Sequence, residues 1–167
     1  MRRIIVLFGF ALLLSGCAMW DQFKESSGIT PETSSIELVI EASSILNVRK
    51  GGQSSPVILR IHELTSPVLF RSLDFFALFE NDKASLGDEY IKRYEYQIQP
   101  GDKIHELLIL APETRAVGFS VAFRDIDGSS WRQVEIIEEK SEYFLNLNIE
   151  GSELTSNNTR GIEQVYF

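Results

Sequence analysis

From Ile36 onward the chain alternates apolar and polar positions with a period of two. Ile36, Leu38, Ile40 and Ala42 share one face, with Glu37 and Glu41 among the residues of the other. That is the pattern of a half-buried strand. Val57, Leu59 and Ile61 alternate with Ile58, Arg60 and His62, and Tyr90, Tyr94, Tyr96 and Ile98 share a face opposite Arg93, Glu95 and Gln97. Val117, Phe119, Val121 and Phe123 alternate with Gly118, Ser120 and Ala122, while Tyr143, Leu145, Leu147 and Ile149 mark another inward face. Residues 131–138 form a further strand, and residues 104–110, apolar apart from His105 and Glu106, predict a strand buried on both faces. Turn chemistry separates these runs: a Gly/Ser-rich stretch at 47–56, Pro100-Gly101-Asp102, and the hairpin signal Asp127-Gly128. Strands at this spacing predict an all-β fold, an antiparallel two-sheet β-sandwich.

One stretch breaks the alternation. Phe70, Leu73, Phe75, Phe76, Leu78 and Phe79 are too dense for a strand, and Phe75, Leu78 and Phe79 fall at i, i+3 and i+4 after Asp74. The spacing predicts a short helix over about 72–79, between strands 2 and 3, with its Phe face packed over one end or side of the sandwich. At least one of Phe75, Phe76 and Phe79 is expected to be deeply buried.

Ahead of the strands, apolar residues 4–14 follow Arg2 and Arg3 and lead into Leu14-Ser15-Gly16-Cys17. A basic start, an apolar stretch and small residues at the cut make a secretory signal. A Cys directly after Leu-Ser-Gly makes it a lipobox, in which the Cys17 thiol takes a diacylglyceryl group and becomes the first mature residue. An apolar run of about a dozen residues falls short of the ~20 that a membrane span requires. The expected organisation is a signal peptide at 1–16, a flexible tether at 17–35 carrying Gly28 and Pro31, and the β-sandwich domain at 36–167. Ala18 stands where Asp would signal inner-membrane retention. The expected location is therefore the outer membrane, gripped through acyl chains, with the domain facing the periplasm.

Charge narrows the partners. The chain has 16 basic and 24 acidic residues, and loss of Arg2 and Arg3 with the signal leaves 14 against 24, a net of −10. An acidic exterior argues against nucleic acid and against polybasic docking on anionic lipid. Cys17 is the only cysteine, so once it is acylated no disulfide is expected. His62 and His105 are the only histidines and lack the clustered ligands of a metal site or a triad. In Asp125-Ile126-Asp127-Gly128 the glycine comes too early for a calcium loop, and the Gly51-Gly52 pair opens no helix that could cradle phosphate. The chain is expected to be no enzyme, with no small-molecule substrate, no metal and no cofactor beyond the covalent lipid on Cys17.

An ordered set of segments behind the lipobox carries a family resemblance. Leu46-Asn47, Gly52-Gln53-Ser54-Ser55-Pro56-Val57, Leu59-Arg60-Ile61-His62-Glu63-Leu64, Phe70, Asp74-Phe75-Phe76-Ala77-Leu78-Phe79, Asp82 and Leu86-Gly87 come first. Pro100-Gly101, the strand at 117–123, Arg124-Asp125-Ile126-Asp127 and Trp131-Arg132 follow. Together they resemble the type VI secretion lipoprotein family TssJ, also called SciN or VasD. The resemblance implies a transthyretin-like sandwich with an added helical element and no catalysis. It implies an outer-membrane lipoprotein that holds the periplasmic part of TssM, in a membrane complex that also contains TssL. It further implies that the loop between the first two strands contributes to TssM binding; here that loop is Val48, Arg49, Lys50, Gly51, Gly52, Gln53, Ser54 and Ser55. Its length exceeds the two to five residues usual for a hairpin, and Arg49 and Lys50 place two positive charges on a Gly-rich turn. The acidic end at 138–167 matches no motif and is read as an edge strand or a tail. Two other classes stand beside this reading. One is a generic lipid-anchored periplasmic binding module outside type VI secretion, separable by co-purification with a large inner-membrane protein. The other is an envelope hydrolase, which would need a Ser and the two His to converge.

Overall fold

The computed structural model describes residues 32–160. The signal peptide, Cys17 and most of the tether lie outside the described residues. Eight strands and two helices follow in order: β1 (Ser35–Leu46), β2 (Val57–Leu64), α1 (Val68–Ser72), α2 (Phe75–Leu86), β3 (Tyr90–Ile98), β4 (Lys103–Ile109), β5 (Ala116–Val121), β6 (Arg132–Ile136), β7 (Glu142–Gly151) and β8 (Glu153–Arg160). A 3₁₀ turn at Gly87–Glu89 joins α2 to β3.

The strands form two four-stranded sheets, ordered β4-β1-β7-β8 and β3-β2-β5-β6. Every neighbouring pair is antiparallel except β1 and β7, which run parallel with Ser35 opposite Glu142 and Ala42 opposite Ile149. The inner faces are those the alternation marked. Ile36, Leu38 and Ile40 of β1, Leu59 and Ile61 of β2, Phe119 and Val121 of β5, and Leu145, Leu147 and Ile149 of β7 are all fully buried in one cluster. At one side the sandwich is fastened by polar groups: Ser156 Oγ donates to Glu135 Oε1 at 2.5 Å and Asn158 Nδ2 to Oε2 at 3.2 Å. These bonds join β8 to β6 of the facing sheet, and β8 ends its own sheet, so the acidic end supplies an edge strand.

Position within the sheet overturns the expectation for β4. It is an outermost strand, and its outward Leu107 and Ile109 are 65% and 56% exposed. Its composition resembles that of a doubly covered strand, but only one face meets the core. The strand covered on both faces is β5, buried at all six positions.

What covers the second face of β5 is the helical layer. Leu64, Phe70, Leu78, Leu86 and Ala116 form a second apolar cluster, edged by Leu73, Tyr90, Trp131 and Val134, on the outer face of the β3-β2-β5-β6 sheet. Asp74 starts α2 as its N-cap, accepting from Ala77 N at 2.9 Å, which satisfies one of the helix's free donors. The helix breaks at Asn81, whose backbone is non-helical, and this turns Asp82 inward. The expected Phe anchor is also corrected: Phe75 and Phe79 are half-buried, Phe76 is 63% exposed, and the fully buried residues are Phe70 and Leu78. Phe70 can sit this close because Gly118 beneath it has no side chain. A Cβ there would lie 2.6 Å from Phe70 Cζ.

Candidate functional site

The loop joining β1 to β2 crosses between the two sheets, and its base is pinned before its tip begins. Asn47 takes a positive φ of 47°, a conformation that Asn tolerates better than most residues. Its amide then spans three segments. The backbone N donates to Gly151 O at 2.8 Å, Nδ2 donates to Pro56 O at 3.1 Å, and Oδ1 accepts from Arg124 N at 2.8 Å. Ser54 Oγ donates to Ser44 O at 2.8 Å and accepts from Leu46 N at 3.3 Å. Above this base the tip is a compact turn, with Arg49 N donating to Gln53 O and Gly52 N donating to Arg49 O, both at 2.9 Å. Gly51 and Gly52 have φ of 115° and 85°, values that side-chain-bearing residues rarely adopt.

Val48, Arg49, Lys50, Gly51, Gly52 and Gln53 are exposed, and Ser54 is half-buried. Ser55, the last residue of the loop expected to bind a partner, is buried and presents no surface of its own. Its hydroxyl instead accepts from Arg49 Nε at 2.8 Å and its N donates to Leu46 O. Ser55 thus orients the arginine from within the loop. The outcome is a braced protrusion that displays Arg49 and Lys50 on an acidic protein. Asn47, at the margin of the predicted loop, is the residue that positions it; an Asn beside a Gly-rich stretch is the sequence signal for it.

The buried ionisable groups form two clusters that link elements of the fold. His62 Nε2 lies 3.0 Å from Asp82 Oδ2, to which Arg93 Nη1 also donates at 2.8 Å. Burial pushes the His62 pKa below its ordinary value, outweighing the pull of the hydrogen bond to Asp82. Burial pushes Asp82 up, but the hydrogen bonds from His62 and Arg93 prevail and hold its carboxyl below the usual range. His62 Nδ1 is buried without a hydrogen-bond partner among the described residues. The cluster ties α2 to β2 and β3. At the neighbouring position the fully buried Glu63 accepts from Tyr94 OH (3.0 Å), Ala111 N (2.9 Å) and Thr114 Oγ1 (2.8 Å), with Lys92 Nζ at 3.0 Å. Among the described residues, no group of three or more His, Cys, Asp or Glu is placed to hold a metal. No described helix is long and apolar enough to cross a membrane.

Residues 34–152 match the family described as type VI secretion lipoprotein, VasD, EvfM, TssJ. Residues 1–18 match the prokaryotic membrane lipoprotein lipid attachment site, which contains Cys17. No curated protein sequence matches. Among solved structures, the T6SS lipoprotein TssJ1 from Pseudomonas aeruginosa is similar, with 27% identity, 77% of this chain and 98% of that chain covered, and a TM-score of 0.75. Lip from Serratia marcescens, a membrane-bound component of the type VI secretion system, shares the fold at 22% identity, covering 75% of this chain and 98% of its own, with a TM-score of 0.68. A chain of a type VI membrane complex matches at 25% identity over 72% of this chain and 95% of that one, with a TM-score of 0.63. The match over most of the β-sandwich, behind a lipid attachment site, establishes that the chain belongs to the type VI secretion lipoprotein family.

Proposed function

We propose that the chain is an outer-membrane lipoprotein whose β-sandwich faces the periplasm and holds the periplasmic part of TssM, in a complex that also contains TssL. The observation that carries the reading is the braced β1–β2 loop, which displays Arg49 and Lys50 at its exposed tip. The likeness to a chain of a type VI membrane complex supports the setting. The role is mechanical. One end grips lipid through two or three acyl chains on Cys17, enough for stable attachment where one chain binds only marginally. The other end grips protein through a rigid scaffold and a loop held ready for binding, which lowers the ordering cost of association. Nothing in this role consumes a substrate, and the buried His62 and Glu63 clusters serve the fold.

The test is recovery of a tagged full-length chain from detergent-solubilised envelopes, with mass spectrometry of its partners. TssM and TssL are expected together with the chain, in material that floats with outer membrane. Recovery of the chain without TssM would contradict the proposal.

A further inference from the structure

We propose that the helical layer carries a second docking surface for the same partner: a groove that takes a basic residue set beside an apolar one. This inference rests on the TssM reading. The groove lies between the start of α2 and the turn from β5 to β6, encloses about 440 Å³, and is lined by Phe75, Phe76, Ile126, Trp131, Asp74 and Asp127, among others. Its aromatic floor is already ordered: Phe75 meets Trp131 edge-on at 5.3 Å, stacks on Phe79 at 4.4 Å and holds Phe76 in a T-shaped contact at 5.5 Å. Phe76 nevertheless leaves 63% of its surface open. A large aromatic so exposed on a pre-ordered ring cluster suits an interface anchor.

Charge identifies the occupant. The cation in the lining, Arg132, is turned into the protein: its Nη1 donates to Leu73 O at 2.6 Å and to Phe70 O at 3.1 Å, and its guanidinium lies 4.8 Å from the Trp131 ring centre. Asp127 and Asp74, the latter with one oxygen capping α2, line the same groove as exposed carboxylates. Carboxylates next to aromatic faces attract a lysine or arginine through both ion pairing and the ring quadrupoles.

The turn that lines the groove is tied to the base of the β1–β2 loop. Arg124, which opens the turn carrying Ile126 and Asp127, donates its N to Asn47 Oδ1 at 2.8 Å. A partner face that spans both would meet the positive loop tip and the negative groove together. Opposite charges on adjoining surfaces fix the orientation in which that face docks.

The test measures binding of the acylated full chain, in detergent, to the TssM periplasmic domain. Phe76→Ser and Asp127→Lys are compared with the loop variant Arg49→Glu/Lys50→Glu. Both groove positions are exposed, so melting is expected to match wild type. Affinity is expected to fall at least tenfold for Phe76→Ser. Asp127→Lys is expected to lose affinity by an amount that shrinks as salt is raised. Wild-type affinity in both groove variants, with binding lost in the loop variant, overturns the groove and leaves the TssM reading standing. Should Phe76→Ser melt early, Asp127→Lys decides alone. Failure of the wild-type chain itself to bind overturns the TssM reading and the groove with it.

Discussion

Replacing Gly118 by alanine should loosen the helical layer from its sheet. The added Cβ would lie 2.6, 2.7 and 2.8 Å from three atoms of the Phe70 ring. Reaching an ordinary carbon–carbon separation of ~3.6 Å requires the ring to retreat by about 1 Å. Phe70 has nowhere to go, being fully buried in the cluster of Leu64, Leu78, Leu86 and Ala116, with the His62 ring 5.4 Å away. Overpacking of this kind costs about 1–3 kcal/mol. Against it, removing a glycine from unstrained extended backbone stabilises by about 0.4–1 kcal/mol through the unfolded chain. The clash wins, leaving a net loss of about 1–2 kcal/mol and a melting temperature lower by roughly 3–8 °C for a domain of this size. A calorimetric melt of Gly118→Ala measures the loss, and Phe70→Leu alone and combined with Gly118→Ala completes a double-mutant cycle. The smaller leucine should relieve the clash, giving a coupling of at least ~0.5 kcal/mol. An unchanged melt for Gly118→Ala, or strict additivity in the cycle, would refute the seating of Phe70 over the glycine.

Other expectations follow from the buried charges and the anchor. The folded-state pKa of His62 is depressed, so below its unfolded value of about 6.5 the unfolded chain binds more protons and stability falls as pH is lowered. Denaturant midpoints from pH 7 down to pH 5 should show this decline, and His62→Gln should flatten it; identical slopes for the two proteins would exclude His62 as its source. Glu63→Ala removes the shared acceptor of Tyr94, Ala111 and Thr114 and the counter-charge of Lys92. It should cost about 3–5 kcal/mol in denaturant unfolding, and a loss below 1 kcal/mol would show the network to be dispensable. Cys17→Ser should prevent acylation and release the domain from outer-membrane fractions without altering its melt, whereas continued flotation without partner proteins would place the anchor elsewhere.

The inner faces were legible because residues such as Leu38, Leu59 and Leu145 report burial through a period of two that any sheet imposes. What the period cannot report is a strand's place in its sheet. The 104–110 run has the composition of a covered strand, yet Leu107 and Ile109 lie on an outermost one. The end that holds β8 reads as either an edge strand or a tail because its inward Ser156 and Asn158 meet Glu135 rather than an apolar core. The parallel pairing of β1 with β7 joins residues about a hundred positions apart and leaves no local trace. In the helical layer, aromatic density was visible but the anchor was not, because Phe70 is chosen by the space above Gly118 rather than by helical spacing. At the candidate site, length, glycines and charge marked the loop. The bracing by Asn47 depends on Arg124 and Gly151, which only the fold brings near, while Ser54 and Ser55 bond to Ser44, Leu46 and Arg49 within the loop and its flanks.

The central claim is that the β1–β2 loop is the grip on TssM. Its most direct test is the affinity of the acylated chain for the TssM periplasmic domain after residues 48–53 are replaced by Asn-Gly, with Asn47, Ser54 and Ser55 kept to hold the strand ends. The shortened loop is expected to leave the melt unchanged, to allow normal arrival at the outer membrane and to lose at least a hundredfold in affinity, about 2.7 kcal/mol. Wild-type affinity in a shortened loop that still melts normally would contradict the claim.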